Sequence, residues 1–339
     1  MPGKAQSLIS LQNGGRHPPV QPACSGSSGP VVRLVECLRF GQDCIMISRR
    51  KLVAHSAGAA IGAWFLGPAC SAARAADSHR TERLAELESL AQGRLGVHVI
   101  DTGAHVEWGY RPDERFMMLS SFKVLASALV LARADQGNED LARRIRFGQQ
   151  DLIPWSPVTQ KHADGEGMTL AQLCEATITT SDNTAGNLIL ASYGGPPAVT
   201  AFARRLGDQT TRLDRNEPTL NTPSDSGLLD TTTPRAMART LQQLLLANAL
   251  SEASRGLLKN WMLANTTGAN RLKAGLPKGW AIGDKTGTNK TDANDIGIVL
   301  PPGRDPIIVT TYLAGSTAAP EARDHAIAGV AQLLASERA

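Results

Sequence analysis

The segments that read as β-strands lie at the two ends of the body of this chain, and those that read as helices lie between them. Arg94–Ile100 spaces Leu95, Val97 and Val99 two residues apart, the period of a strand with one buried face. A second run, residues 105–110, follows Gly103, and Trp280–Thr286, Asp295–Leu300 and Ile307–Leu313 supply three more. Helical patterns precede the first strand (Arg80–Ala91, with Leu84, Leu87 and Leu90 on a stripe) and follow the last. The final helix starts at Pro320 and carries Ile327, Val330, Leu333 and Leu334. Further helices are expected at Leu170–Ile178, Ala185–Ala191 and Thr233–Asn248, the last with Pro234 in its first turn, where a missing N–H costs nothing. No internal repeat is present. One antiparallel sheet closed by both chain ends, with helices inserted between its halves, satisfies this order. The expected class is α/β (α+β): a five-stranded antiparallel sheet flanked by N- and C-terminal helices, with an inserted all-helical domain. The sheet domain takes residues 76–111 and 263–339, and the helical domain 112–262, including a loop at 212–230.

The first 75 residues differ from this body. They hold Cys24, Cys37, Cys44 and Cys70, four of the five cysteines, leaving Cys174 alone afterwards. The body therefore cannot close an internal disulfide or supply a thiolate zinc site. The formal charge of +4 also belongs to the start: residues 1–75 carry 8 basic and 2 acidic side chains, and the remainder is net −2. With only 4% aromatic residues, a nucleic-acid partner is not expected. Arg49, Arg50 and Lys51 open an apolar, Ala/Gly-rich stretch to Ala69, and Ala73-Arg74-Ala75 forms a small-residue cleavage site. Ser48-Arg49-Arg50 suits a twin-arginine signal, and an ordinary secretory signal with a chance arginine pair reads the same residues. His55, Ser56, Gly58 and Gly62 interrupt the stretch and argue against a stable membrane-spanning helix. Residues 46–75 are expected to be a signal peptide, 1–45 a misassigned extension, and the mature protein periplasmic or secreted.

Four short segments carry chemistry. Ser120-Ser121-Phe122-Lys123 sets a hydroxyl and an amine at i and i+3, on one face of a helix that Val124 and Leu125 mark as buried. The spacing alone means little, since it recurs at Ser48–Lys51. A lysine in an apolar segment needs a reason, because burial disfavours its charge. Either Ser120 is a nucleophile with an activating amine, or it caps a helix while Lys123 reaches for solvent. Ser181-Asp182-Asn183 by itself reads as a helix cap. Within Arg212–Asp230, too long an irregular stretch for a casual connection, Glu217 and Asn221 can hold one water, and Arg215 can pair with Asp230. A solvated loop carboxylate is the plain alternative. Lys285-Thr286-Gly287-Thr288 puts a polar tetrad with a glycine on a strand, which permits close approach of a ligand, or marks a strand ending in a turn.

Each segment has an ordinary explanation, but the four in this order do not share one. Together they resemble the signature of the class A serine β-lactamases. The likeness covers nearly all of residues 80–339, including the segments at Trp155–Thr159, Asn187-Leu188, Arg212–Pro218, Asp230–Pro234 and Asn265–Gly268. It implies hydrolysis of penicillin- and cephalosporin-type β-lactams through a covalent acyl-serine, and so antibiotic resistance. The implied substrates are small molecules, with no cofactor and no metal, and a monomer is the expected state. Ser120 would be the nucleophile, deprotonated by Lys123 or by Glu217 through a water. Ser181 would pass a proton to the leaving nitrogen beside Lys123 and Lys285. The N–H groups of Ser120 and Thr288 would form the oxyanion hole. Lys285, Ser181, Thr286 and Thr288 would receive the substrate carboxylate, with Gly287 between them. Arg271 would replace an arginine that many relatives carry on the neighbouring strand, where this chain has Asn294. Asn183 would bind the acylamide, Trp155 would wall the cleft, and Glu217 with Asn221 would activate the deacylating water. The Glu217–Pro218 peptide would be cis.

Other readings fit less well. A penicillin-binding DD-peptidase shares the Ser/Lys logic but lacks the Glu217–Asn221 pair, and a non-hydrolysing β-lactam sensor would acylate and stop and would need a membrane tether, for which the expected cleavable leader is the one apolar run. A Ser-His-Asp esterase would need G-x-S-x-G, which is absent, and the seven histidines show no metal-ligand spacing.

Overall fold

The computed structural model describes residues 67–336, with side chains from Asp77 onward. The extension at 1–45 and the basic start and apolar run of the leader through residue 66 lie outside the described residues.

Eight-residue strands build the sheet from both ends of the chain. They are β1 (Arg94–Asp101) with the shorter β2 (Val106–Tyr110), then β7 (Ala281–Thr288), β8 (Ala293–Leu300) and β9 (Ile307–Ala314). The short pairs β3 (Phe116–Met117) with β6 (Thr231–Thr232), and β4 (Arg144–Ile145) with β5 (Met168–Thr169), stand apart. The large sheet runs β2-β1-β9-β8-β7, antiparallel throughout. β1 and β9 pair along their whole lengths, Arg94 opposite Ala314 and Asp101 opposite Ile307, so the two ends of the body close one sheet.

Alternation along the strands sends side chains to two separate cores. Leu95, Val97, Val99, Val309 and Leu313 pack under the flanking helices α1 (Gly67–Ala91) and α9 (Pro320–Ser336). Ile296, Ile298, Ile308 and Tyr312 face the helices that the chain makes in between. These are α2 (Phe122–Asp135), α3 (Leu170–Thr179), α4 (Asn183–Ser192), α5 (Pro196–Arg205), α6 (Pro234–Leu245) and α7 (Glu252–Leu263). The short α8 (Leu272–Gly275) leads into β7.

Several details differ from the sequence reading, α1 beginning at Gly67 rather than Arg80 among them. The stripe of α1 is Leu84, Leu87 and Ala91, while Leu90 is 44% exposed, because positions i, i+3 and i+7 share a face and i+6 turns away. α6 stops at Leu245, three residues short of Asn248. β7 runs on through Thr288, so the Lys285–Thr288 tetrad lies inside a strand and not in a turn. β7 is also an edge strand, which leaves one side of its backbone unpaired by any other strand.

Candidate active site

α2 is buried from Phe122 to Ala132, with Lys123 fully enclosed. The chain enters it through a single 3-10 turn, Leu119–Ser121, in which Leu119 takes a left-handed φ of +48°. Ser121 sits at the cap of α2 and makes no side-chain cap bond, and Lys123 does not reach solvent, so the plain reading of this segment fails. Lys123 Nζ donates instead to Ser120 Oγ at 3.0 Å, Ser181 O at 2.9 Å, Ser181 Oγ at 3.3 Å and Asn183 Oδ1 at 2.6 Å. It also lies 3.2 Å from Glu217 Oε1, both side chains being fully buried. Burial pushes the Lys123 amine below the usual lysine range, and the Glu217 charge works against that shift.

The Ser-Asp-Asn segment serves two purposes. Asp182 is the helix cap: it accepts from Ala185 N at 2.9 Å and also binds Val158 N, Thr159 N and Thr159 Oγ1. With the cap supplied by Asp182, Ser181 at φ +59° turns toward the two lysines, and Lys285 Nζ donates to its Oγ at 3.0 Å. Lys285 also donates to Thr286 O at 2.8 Å. Burial and then repulsion from Lys123 hold the Lys285 amine well below the lysine range. Asn183 Nδ2 donates to Pro154 O at 2.9 Å, fixing the loop that carries Trp155. Trp155 is 65% exposed, with its indole N–H bonded to Thr180 O, so it is a wall and not part of a core.

The long loop is tied down from inside. Asp230, fully buried, accepts from Asp214 N, Arg215 N and Arg215 Nε, the last at 2.6 Å. Glu217 is buried rather than solvated, and Glu217–Pro218 is cis. Its Oε1 accepts from Ser120 Oγ at 3.3 Å and its Oε2 from Asn221 Nδ2 at 2.5 Å. Asn187 on α4 grips the Glu217 backbone twice, donating to its carbonyl at 2.9 Å and accepting from its N–H at 3.0 Å.

A cleft of about 380 Å³ opens above these groups, bounded by Ser120, Trp155, Ser181, Asn183, Asn221 and the Thr286–Thr288 edge of β7. Thr267 lines it too, its hydroxyl 2.5 Å from that of Thr286. Arg271 does not line it. The guanidinium lies under β7 and binds Thr288 Oγ1 at 2.7 Å, Gly287 O and Asn294 O, with Asp324 at its back. Asn294 does not face the cleft either; it points at the turn before Ser120. Asn187 and Thr267 lie in segments that the resemblance covers, but no local signal marked either as part of the site. Asn289, beyond β7, donates to Asn221 O at 3.1 Å and links the loop to the sheet.

A serine hydroxyl touching both a buried amine and a buried carboxylate, beneath the free edge of an antiparallel sheet, defines a serine-nucleophile enzyme site of the acyl-transfer kind. The chain matches the Beta-lactamase enzyme family over residues 79–337. It is 46% identical over 254 residues to "Beta-lactamase CTX-M-8" of Citrobacter amalonaticus, covering 75% of this chain and 87% of that one. It is 43% identical over 310 residues to a β-lactamase of Streptomyces albus G, covering 85% and 96%. The solved structure of an ancestral (GNCA) class A β-lactamase superposes with a TM-score of 0.74 at 56% identity, over 76% of this chain and 99% of that one. This chain belongs to the class A serine β-lactamases.

Proposed function

We propose that this chain opens the β-lactam amide of penicillin- and cephalosporin-type antibiotics by acyl transfer to Ser120, then hydrolyses the ester with a water activated by Glu217, and so confers resistance. The observation that carries the reading is the contact of three groups: Ser120 Oγ lies 3.0 Å from Lys123 Nζ and 3.3 Å from Glu217 Oε1.

An alcohol is a weak nucleophile at neutral pH, so its proton must leave as it attacks. An amine whose proton is loosened by burial can take it, and the carboxylate touches both that amine and the hydroxyl. Ser181, bonded to both lysines, then delivers a proton to the departing ring nitrogen. The N–H groups of Ser120 and Thr288 stabilise the oxyanion, each donor contributing ~2.7–4 kcal/mol in comparable hydrolases. The Thr286 and Thr288 hydroxyls, with Lys285 and Ser181 beneath, receive the substrate carboxylate, and Gly287 lets the backbone approach it. Arg271 acts on that carboxylate through Thr288. Asn183 and Trp155 receive the acylamide side chain. The resulting ester is cleared by water held between Glu217 and Asn221, whose side chains already meet.

The test is mass spectrometry of the intact protein after mixing with benzylpenicillin. Glu217→Gln is expected to gain one acyl adduct that persists, and Ser120→Ala to gain none. An adduct on Ser120→Ala, or parental turnover in Glu217→Gln, overturns the reading. Export belongs to the same proposal: residues 46–75 act as the signal and cleavage follows Ala75, which N-terminal sequencing of the exported protein checks. Among the described residues no helix is long and apolar enough to cross a membrane.

A further inference from the structure

Gly287 and Asn294 face each other across β7 and β8, and their neighbourhood joins the two halves of the proposed oxyanion hole. One half is the N–H of Thr288, next to Gly287. The other is the N–H of Ser120, next to Leu119, whose left-handed backbone is unusual for a branched apolar residue. The two halves touch: a Cβ added at Gly287 would stand 2.9 Å from Leu119 Cβ, 3.0 Å from Met118 O and 3.2 Å from Ser120 N. Contact alone does not set the angle at which the Ser120 N–H points. A further bond is needed between the strand and the turn.

The Asn294 side chain makes that bond. It is buried, and its Nδ2 donates to Met117 O at 2.9 Å and Met118 O at 3.1 Å. Both N–H groups of one amide are thus spent on the two carbonyls that immediately precede Leu119. The Asn294 carbonyl and the Gly287 carbonyl are in turn gripped together by Arg271 Nη1, at 2.7 and 3.0 Å. Arg271 is anchored by Asp324. A continuous line therefore runs from the Thr288 side, through Asn294, to the turn that presents Ser120.

We propose that Asn294 is a positioning residue for the oxyanion hole: its amide fixes the turn at Met117–Leu119 to β8, and so fixes the Ser120 N–H relative to that of Thr288. The inference rests on the acyl-transfer reading given above. It explains why an asparagine suits this position. Leucine would fill the space but remove both bonds between β8 and the turn, leaving the Met118 carbonyl only its bonds from Ser121 within the turn, and aspartate would set a carboxylate against both carbonyls.

The test uses the Glu217→Gln protein, in which the acyl-enzyme persists, with Asn294→Ala or Asn294→Asp added. Infrared difference spectra of the acyl-enzyme report the ester carbonyl, whose stretch falls to lower wavenumber as oxyanion-hole donors polarise it. The expected result is a shift to higher wavenumber in both double variants. Acylation, followed by stopped flow, is expected to slow by about tenfold to a hundredfold, short of the ~10²–10³ for outright loss of a donor. If the alanine variant does not fold, Asn294→Ser, which keeps one donor, is read in the same way and should give a smaller shift. A purely structural role would lower the melting temperature and leave the carbonyl band where it is, and that result overturns the inference. Failure of the Glu217→Gln parent to form any acyl-enzyme overturns the acyl-transfer reading and this inference with it. An acyl-enzyme with an unmoved band overturns this inference alone.

Discussion

Two lysines share the Ser181 hydroxyl, and neither amine is exposed. Burial lowers both, and the single carboxylate in contact with Lys123, Glu217, holds its amine higher than burial alone would leave it. This gives a signed prediction. If Lys123 takes the Ser120 proton, acylation requires the neutral amine, so the rate falls as pH drops through the Lys123 pKa. Glu217→Gln removes the attraction that raises that pKa, and the acidic limb should move to lower pH. Single-turnover acylation of both proteins across a pH series checks it. A limb that stays in place, or acylation lost at every pH, assigns the proton to another group. The candidate residues of this exchange were legible in the sequence only through the four segments taken together, since each alone, even a lysine beside Val124 and Leu125, has an ordinary explanation. Asn187 and Asn294 could not be read. An amide on a helix or strand looks the same in sequence whether it faces water or a carbonyl on a distant turn.

At the scale of elements, the loop at 212–230 and helix α4 work as a pair. The loop supplies Glu217, and α4 supplies the Asn187 amide that holds the Glu217 backbone at both ends. Removing that grip by Asn187→Ala should cost about 2 kcal/mol of stability, from two hydrogen bonds of ordinary net strength. Its larger effect should be on the second half-reaction, since a small displacement of a water-activating group costs more than a small loss of stability. Deacylation is expected to slow by about tenfold or more with acylation nearly unchanged, giving burst kinetics in a stopped-flow trace. Equal slowing of both steps would show that Asn187 supports the whole site and not Glu217 in particular. The elements themselves were largely legible. Strand periods placed all five sheet strands within two residues of their observed starts and ends. Pro234 marked the N-terminus of α6, where Thr233 provides the cap. The errors came where packing outweighs local pattern, as in the exposed Leu90 and in β7, which runs through its own glycine.

For the molecule as a whole, the sheet buries titratable groups that the proposed chemistry does not use, His98 among them. His98 on β1 is 1% exposed, and burial together with Arg235 pushes its imidazole down to about 4. Glu107 Oε2, 3.4 Å from its Nε2, opposes this, and Arg239 adds to it. The ordinary value of about 6.5 applies to the unfolded chain. Between these values the unfolded state binds more protons than the folded one, so stability rises with pH from about 4 to about 6.5 and is flat above. Allowing for solvent screening, the change is about 2 kcal/mol. Urea unfolding at several pH values should show that slope in the parent and lose most of it in His98→Asn. Identical slopes in both proteins would place the acid sensitivity elsewhere.

Taken alone, the sequence determined the fold class through the period of its apolar residues, and its four short segments together pointed to the candidate site through a family resemblance. The three-dimensional arrangement decided the rest. It turned Arg271 and Asn294 away from the cleft, the first onto the Gly287 and Asn294 carbonyls and the second onto those of Met117 and Met118. It also gave Asp182 the capping role that leaves Ser181 free for the lysines. Residues separated by about a hundred positions, such as Ser120 and Glu217, meet only when the sheet closes and the buried loop folds down on α2 and α4. Contacts of that kind have no local signature, because the free energy that holds them comes from burial shared across the whole body of the chain.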